Sequence, residues 1–390
     1  MVTYTAMRQM SDAPSNTNAP EAVRRLAIFV PVLNGGGAER MMRYLGSELS
    51  RRGIQCDLLV ATDKGPQLDA SPVGVNVIRL HKRNCRRAIP ALARYMHTAR
   101  PDVVLSTVLS ANVAAIIASR LLSNPPRLVI REASRTDEQI NSQRRMQRFI
   151  DFHVRKFTYP MADFVVAVSR DVQSALISAK LTSNERSRVI YNPLTRPVTA
   201  TKEPTAAAST PSLILACGRL EKEKDYPTLL RALKIVLGKR DVGLTILGEG
   251  SLSTHLKLMA SELGIREHVS FEGFVEDTQP YLERASVFVH TSRFEGFPSA
   301  ILEAAAAGCP IVATDSPGGA REILRAGELG TLVPVGDAQA VAAAILEILN
   351  GEIVFSPPHD YGKRFSLSDI ATEYLDALFP DQHTPPPSDD

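Results

Sequence analysis

Two carboxylates, Glu295 and Glu303, lie eight residues apart in the segment EGFPSAILE. A helix is predicted to begin near Pro298, since proline suits the first turn of a helix. Glu295 then precedes the helix, and Glu303 lies about one and a half turns inside it. Carboxylates accept hydrogen bonds from hydroxyl groups, so this pair can line one polyhydroxylated ligand at two depths. The free N–H groups at such a helix start also suit an anion or a sugar.

A second cluster combines positive charges with a glycine turn, in the segment Gly218–Tyr226. Arg219 and Lys224 follow the apolar run Leu213–Cys217 and precede a helix that is predicted from about Pro227. A guanidinium grips phosphate oxygens through two hydrogen bonds, an ammonium adds a point charge, and a helix N-terminus nearby favours the anion. The segment therefore predicts a diphosphate site, with a solvated charged loop as the alternative.

A glycine-rich turn, Asn34–Arg40, follows the first predicted strand and opens the first predicted helix. Its backbone can approach an anionic ligand closely, although a simple tight turn has the same composition. The sequence contains no GxxxxGKS/T motif, and Gly248 and Gly250 are followed by Ser253 where GxGxxG has its third glycine. Neither a P-loop nor a dinucleotide fingerprint is indicated.

Short apolar runs alternate with helical stretches, as parallel sheets with crossover helices require. The alternation covers residues 26–195, where the last predicted strand is Val189–Tyr191, and it restarts over 212–366. This pattern predicts an α/β protein with two Rossmann-like parallel-sheet domains that face a central cleft, where ligands of such sheets bind. The remaining segments are predicted to be a flexible leader (1–25), a linker (196–211), a C-terminal helix that packs back toward the first domain (367–379) and a disordered tail (380–390).

The chain has 390 residues, of which 44% are apolar, and a net charge of +3, as expected of a soluble two-domain protein. The charge is uneven, because residues 1–200 sum to +14 and residues 201–390 to −11. The basic half indicates an anionic partner, among nucleic acid, acidic lipid headgroups and a phosphorylated substrate, or else a solvated basic surface. Four separated cysteines without a CxxC pair argue against disulfides and structural zinc, which favours the cytoplasm.

The segments GGGAER, GRLEKEKDY, EGFPSAILE and AGCPIVATDSPGG, in that order, resemble the motifs of the retaining family-four glycosyltransferases. The resemblance covers about residues 26–380 and implies the GT-B fold. The GGGAER form is similar to the branch that extends lipid-linked or surface polysaccharides in bacteria. The implied donor is a nucleoside-diphosphate sugar, either a UDP-sugar or GDP-mannose.

The resemblance also implies a role for each motif residue. Arg219 and Lys224 would hold the diphosphate and neutralise the leaving group. Glu303 would bind the ribose, and Glu295 a hydroxyl of the donor sugar, so that the implied catalytic residues are Arg219, Lys224 and Glu295. The other implied donor-binding residues are Gly36 and Gly37 over the phosphates, Phe274 and Val275 beside the base, and Gly296, Phe297, Pro298 and Ser299 at the sugar.

One feature departs from the family pattern. Many members have a histidine after the fifth strand, near the reacting sugar, whereas this chain has Arg131-Glu132-Ala133 there. Asn192 matches the asparagine of the family's hinge strand and is interpreted as structural. The resemblance therefore assigns no catalytic side chain in the first domain.

Breaking a sugar–diphosphate bond builds negative charge on the leaving group, which fixed cations stabilise. The implied reaction is a hexosyltransferase-type transfer in which no protein base is obligatory. The eight histidines show no metal-ligand spacing and no Asp-x-Asp motif precedes the tail, so we expect no metal and no cofactor. His290, two residues before Ser292, is predicted to be a packing residue at a strand end.

A basic amphipathic helix is predicted over residues 143–157, with Phe149, Ile150, Val154 and Phe157 as its apolar residues. Such helices bind anionic membranes, although a core-packed helix with a wet face has the same pattern. This helix and the segment 81–87 predict peripheral binding to the inner face of the cell membrane, where a polyprenyl-diphosphate acceptor is presented. The basic residues predicted to face the membrane are Arg83, Arg86, Arg87, Arg144, Arg145, Arg148, Arg155 and Lys156.

The sequence thus predicts a glycosyltransferase that acts on a lipid-linked or polysaccharide acceptor. One alternative is a transferase with a soluble acceptor. Another is a nucleic-acid-binding module that uses the basic half of the chain. The sequence contains neither a basic strand with interspersed aromatic residues nor a recognisable nucleic-acid-binding motif. A third is a catalytically inactive sensor of sugar nucleotides, which Arg219, Lys224, Glu295 and Glu303 argue against.

Overall fold

A computed structural model describes residues 23–33, 37–63, 72–134, 145–194, 212–353 and 361–380 of the chain, without the side chains of residues 145–148. The predicted linker, nearly all of the leader and the tail after Pro380 lie outside the described residues. The first domain contains a parallel sheet of seven strands in the order β3-β2-β1-β4-β5-β6-β7. Its strands are β1 (Arg25–Val30), β2 (Gln55–Val60), β3 (Val75–Arg79), β4 (Val103–Thr107), β5 (Arg127–Glu132), β6 (Phe164–Ala167) and β7 (Ser187–Val189).

Helices flank this sheet, and β1 and β4 are therefore buried along nearly their whole length. Two of the helices begin with a side-chain cap, because Asn84 and Ser169 each accept a hydrogen bond from a backbone N–H three residues further on. The helices are α1 (Gly37–Arg51), α2 (Cys85–Ala99), α3 (Leu109–Arg120), α4 (Arg145–Thr158) and α5 (Arg170–Ser178).

The second domain contains a parallel sheet of six strands in the order β10-β9-β8-β11-β12-β13. Two parallel α/β sheets confirm the predicted fold class. The strands are β8 (Ser212–Cys217), β9 (Val242–Leu247), β10 (Val269–Gly273), β11 (Val287–His290), β12 (Ile311–Thr314) and β13 (Thr331–Val333), and the helices are α6 (Tyr226–Leu237), α7 (Ser253–Glu262), α8 (Gln279–Arg284), α9 (Ser299–Ala306), α10 (Ala320–Ile323) and α11 (Ala338–Leu349).

The last helix, α12 (Leu367–Leu378), packs against α1 of the first domain. Arg52 fixes this contact, because its guanidinium donates to the Thr372 hydroxyl at 2.8 Å and to the Ser368 carbonyl at 2.7 Å. The backbone N–H of Leu194 donates to the Phe365 carbonyl at 2.7 Å. The chain therefore passes between the domains twice, once after Leu194 and once before α12.

An aromatic cluster joins the two domains beside these crossings. The ring of Tyr191 lies 5.2 Å from that of Phe297 and 5.6 Å from that of Phe365, measured between centroids. Tyr191 leaves the sheet to reach this cluster, so the strand that was predicted over Val189–Tyr191 instead ends at Val189. The cluster ties the end of the first domain to the loop that carries Phe297.

Candidate active site

The charged segment after β8 is held in place by the turn after β9. A Cβ atom on Gly248 would lie 2.1 Å from the carbonyl oxygen of Gly218, so only glycine allows the two turns to cross so closely. The Glu221 carboxylate accepts hydrogen bonds from the backbone N–H and the hydroxyl of Ser251, at 2.8 and 2.7 Å. The segment that carries Arg219 and Lys224 is thus anchored to the turn after β9.

Three donors converge on one oxygen of Glu295. The Lys224 Nζ lies 2.5 Å from Glu295 Oε1, the Ser292 hydroxyl 2.7 Å and the His290 Nε2 3.1 Å. Among the described residues, no hydrogen bond uses the second oxygen, Oε2. A ligand hydroxyl can therefore bind Glu295 while the protein still fixes the carboxylate.

The charges of this group follow from its burial and its contacts. Burial raises the pKa of Glu295, but the Lys224 ammonium and the His290 hydrogen bond outweigh it and hold that pKa well below its usual range. Burial lowers the pKa of His290, although Glu295 partly opposes the shift. The site thus combines an ionised carboxylate, an ammonium and a neutral imidazole. His290 is buried, as a packing residue would be, and it also binds Glu295, which the sequence interpretation missed.

Acidification from pH 7 to pH 5 is expected to lower the free energy of unfolding through His290. Its ordinary pKa is near 6.5, so the unfolded chain takes up a proton that the folded site does not bind. Below about pH 4.5, Glu295 also lowers the free energy of unfolding, because its pKa is lower in the folded protein than in the unfolded chain. Denaturant titrations at pH 7, 6 and 5 test this, with His290→Gln as the comparison. Equal loss of stability in both proteins would contradict the prediction.

Arg219 and Lys224 take different carboxylate partners. The Arg219 guanidinium donates to Glu223 at 2.7 Å, and its side chain is 71% exposed. Lys224 is largely buried against Glu295. The structure therefore brings Lys224 to the predicted sugar end of the cleft and leaves Arg219 at its rim.

Glu303 is held from both domains. Its Oε1 accepts a hydrogen bond from the Arg40 guanidinium of α1 at 2.6 Å, across the cleft. Its Oε2 accepts one from the Thr278 hydroxyl at 3.2 Å. Thr278 shortly follows Phe274, which is exposed, and Val275, which is half-buried. The predicted base and ribose contacts are thus neighbours in space.

The segment from Gly296 to Ser299 packs directly against the first domain. A Cβ on Gly296 would lie 1.9 Å from the Ala133 carbonyl oxygen, which leaves no room for any side chain. The Asn192 amide donates to the Phe297 carbonyl and to the Ser299 hydroxyl, each at 3.3 Å. The helix begins at Ser299, and Pro298 occupies its cap position instead of its first turn.

Arg131 and Glu132, which occupy the place of the family's histidine, are both 1% exposed. Arg131 donates to the Thr107 hydroxyl at 3.0 Å and also to the Asn192 side-chain oxygen. Glu132 accepts a hydrogen bond from the Tyr159 hydroxyl at 2.6 Å. These side chains form a buried polar layer under Asn192, and so support the segment that Asn192 holds.

The sequence interpretation gave no role to Arg40 or to its neighbour Glu39. Burial raises the pKa of Glu39, and a backbone hydrogen bond, followed by attraction to Arg131 and Arg219, opposes that rise. A cation in the first turn of a helix is unfavourable beside the positive end of the helix dipole. The position of Arg40 in the sequence therefore indicates that an anion lies near it, and in the structure this anion is Glu303.

The predicted glycine and membrane residues are placed as follows. Gly37 is exposed at the start of α1, and Gly36 and Arg144 lie outside the described residues, as do the side chains of Arg145 and Arg148. Arg83, Arg86, Arg87 and Lys156 are exposed at the surface.

The assignment of Arg155 to the membrane surface is wrong. Its side chain is 1% exposed, and its guanidinium lies 5.9 Å from the Tyr159 ring centroid. The reason is the rotation of α4, which turns Arg155 inward and leaves Phe149 and Phe157 61% and 72% exposed. Ile150 and Phe152 are exposed as well, whereas Val154 is half-buried.

Within the described ranges, no three His, Cys, Asp or Glu side chains come together closely enough to hold a metal ion. No helix in those ranges is both long and apolar enough to cross a membrane.

Two family models match the chain in tandem. Residues 35–195 match Glycosyltransferase Family 4, and residues 198–365 match Glycosyl transferases group 1. With two parallel α/β domains around a cleft, the chain belongs to the family-four glycosyltransferases of GT-B fold.

Relatives in the same family make bacterial glycans. The chain is 27% identical over 344 residues to an N-acetylgalactosaminyltransferase of Campylobacter jejuni that acts on a diphospho-undecaprenol-linked sugar, covering 85% of this chain and 91% of the relative. It is 29% identical over 356 residues to the lipopolysaccharide core glycosyltransferase LpsE of Rhizobium meliloti, covering 88% and 96%.

Solved structures share the fold. HepE of Anabaena, in complex with UDP-glucose, superposes with a TM-score of 0.74 at 20% identity, covering 91% of this chain and 99% of HepE. The lipopolysaccharide outer core galactosyltransferase WaaB superposes with a TM-score of 0.70 at 20% identity, with the same coverage.

Proposed function

We propose that this protein transfers a sugar from a nucleoside-diphosphate sugar, with retention of configuration, to a lipid-linked or surface-polysaccharide acceptor at the cytoplasmic face of the membrane. The observation that carries the proposal is the buried contact of Lys224 with Glu295, which precedes the helix that carries Glu303 and its ion pair with Arg40 of the first domain. The names of the relatives support the acceptor class.

The chemistry follows from these side chains. Glu295 holds a hydroxyl of the donor sugar through Oε2, while Lys224 faces the departing diphosphate. Arg219 exchanges its exposed pairing with Glu223, which contributes little, for a phosphate oxygen. The C–O bond to the diphosphate breaks, the acceptor oxygen bonds to the same carbon, and the departing phosphate takes the acceptor's proton. Two protein cations neutralise the leaving group, so the proposal includes no metal and no cofactor.

The proposed donor is a UDP-sugar, since HepE, which shares the fold, has been solved with UDP and with UDP-glucose. GDP-mannose is the alternative outcome of the test. Thermal unfolding with a panel of nucleotide sugars identifies the donor, because a ligand at 100 times its Kd stabilises the fold by about 2.7 kcal/mol.

The stabilisation by one donor is expected to be largely lost in Arg219→Ala and in Glu303→Ala. Lys222→Ala, an exposed cation in the same turn, is the matched control and should keep it. Release of the nucleotide during slow donor hydrolysis is measured alongside. If no nucleotide sugar shifts the wild type or is hydrolysed, the proposed function is wrong.

Membrane attachment is the second part of the proposal. Phe149, Ile150 and Phe152 project from α4, and Lys156 is exposed on the same helix. Arg86 and Arg87 are exposed in the first turn of α2. Apolar side chains enter the headgroup region, and each basic residue near an anionic surface contributes about 1 kcal/mol.

The double variant Phe149→Asp, Ile150→Asp is expected to bind vesicles of anionic phosphatidylglycerol at least about tenfold more weakly than the wild type. It replaces apolar side chains that would enter the membrane with negative charges that the anionic lipids repel. Cosedimentation at low salt measures the binding. Leu258→Asp, an exposed apolar residue of the second domain, is the control that should bind like the wild type. A wild type that stays in the supernatant would favour a soluble acceptor, and salt-sensitive DNA binding would favour a nucleic-acid partner.

A further inference from the structure

Arg40 makes an ion pair across the cleft that involves the proposed ribose-binding carboxylate. Its guanidinium lies 2.6 Å from Glu303 Oε1, and the two residues are 263 positions apart in the chain. The side chains are 30% and 20% exposed, so a ligand in the cleft can reach both. A pair of this exposure contributes little to stability and is readily exchanged.

Ribose binding at Glu303 competes with this ion pair. Both carboxylate oxygens already accept hydrogen bonds, Oε1 from Arg40 and Oε2 from Thr278. Ribose offers two adjacent hydroxyl donors, and a carboxylate binds such a pair through both oxygens. An ionised carboxylate has about four acceptor positions, but a ribose bound through both oxygens competes with the Arg40 guanidinium for Oε1, so the nucleoside weakens the hold of Glu303 on Arg40.

The displaced guanidinium lies close to the proposed phosphate site. Lys224 lies at the end of β8, where its Cε is 3.3 Å from the position that a Cβ on Gly218 would occupy. Arg40 acts on the same place, since burial and Glu303 raise the pKa of the neighbouring Cys217 to about 11 while Lys224 and Arg40 oppose that rise. Arg40 and Lys224 therefore reach the same strand end from opposite domains. A diphosphate at Lys224 is the anion that a freed Arg40 can bind bidentately.

We propose that Arg40 is a phosphate-binding residue supplied by the first domain. Glu303 holds it until the ribose hydroxyls take that carboxylate, and Arg40 then moves to the donor's diphosphate. The inference rests on the proposed function, since it requires a nucleoside diphosphate in this cleft. Arg40 is then expected to have opposite effects on two ligands. It competes with a nucleoside for the Glu303 carboxylate, whereas it strengthens the binding of a diphosphate.

The test measures the affinity for UDP by calorimetry. The affinity for uridine is measured by its competition with UDP at millimolar uridine concentration. Arg40→Ala is expected to weaken UDP binding about tenfold to hundredfold, as loss of a charge-assisted hydrogen bond does, while uridine binds no more weakly than to the wild type. Arg40→Lys keeps the charge but loses the bidentate geometry, and should weaken UDP binding to an intermediate degree. Arg51→Ala, an exposed arginine of the same helix, is the control that should change neither affinity.

Equal weakening of UDP and uridine in Arg40→Ala would overturn the inference, because it would assign Arg40 to holding the domains together. Unchanged affinity for both ligands would overturn it as well. If the panel identifies a guanosine nucleotide, GDP and guanosine replace UDP and uridine. A wild type that binds no nucleotide at all would refute the proposed function itself, and the two failures are therefore distinguishable.

Discussion

Replacing Lys224 with methionine is expected to lower kcat for sugar transfer by about 10²–10³-fold, the usual cost of losing one preorganised charge contact. The physical reason is the position of the ammonium, 2.5 Å from Glu295 and on the turn that the proposed function assigns to the departing diphosphate. Methionine keeps the volume of the side chain but not its charge. Steady-state kinetics with the donor found in the panel measures the effect, which should fall mainly on kcat.

Stability has to be separated from catalysis in this variant. Removing Lys224 leaves the buried Glu295 carboxylate without its cation, which is itself destabilising. The double variant Lys224→Met, Glu295→Gln removes that unpaired charge, and His290 and Ser292 can still donate to the amide oxygen. We expect it to regain much of the lost stability and none of the lost kcat. Recovery of both together would show that Lys224 acts only through the fold.

The second large effect is expected for Gly296→Ala, which should lower kcat/KM by about 10²-fold or more. The added Cβ would meet the Ala133 carbonyl at 1.9 Å, and this atom is backbone of the other domain. The two domains must separate to relieve the overlap, and a misplacement of about 1 Å at a reacting centre can cost 10²-fold in rate.

Gly243→Ala is the matched control for this substitution. It lies in β9 of the same domain, and its added Cβ would find nothing within 4 Å. It should therefore keep wild-type kinetics. If Gly296→Ala also turns over like the wild type, contact between the two domains at this point is not needed for transfer.

The fold could be predicted from the sequence because its strands are covered on both sides. A strand such as β1, in which residues 26–30 are all apolar and buried, differs clearly from the amphipathic helix α1 beside it. The end of β7 could not be predicted in this way, since Tyr191 is as common in strands as the residues before it, and its contacts outside the sheet, with Phe297 and Phe365, involve residues distant in sequence.

The error at Arg155 has a similar origin. Helical spacing shows that arginines and aromatic residues share α4, but the packing of the helix against the rest of the domain decides which of them is covered. The long apolar stem of arginine packs well over an aromatic ring. Arg155 is therefore buried beside Tyr159, and Phe157 stays exposed.

The motifs predicted Glu295, Glu303 and Lys224 as site residues, yet the contacts between the two domains that complete the site came from elsewhere in the chain. Arg40 reaches Glu303 from 263 positions away, and Asn192 reaches Ser299 from 107. Such contacts depend on how the two domains are set against each other, and no local pattern contains that information.

The return of α12 to the first domain limits how the protein can be divided. A fragment that ends at residue 194 would expose the surface of α1 that α12 covers, and a fragment that starts at residue 212 would carry the buried face of α12, including Ile370 and Tyr374, into water. Each half thus holds a piece that the other needs, and coexpressed halves should reassemble through that helix. An exchange of whole domains between relatives consequently requires two junctions, one before β8 and one just ahead of α12.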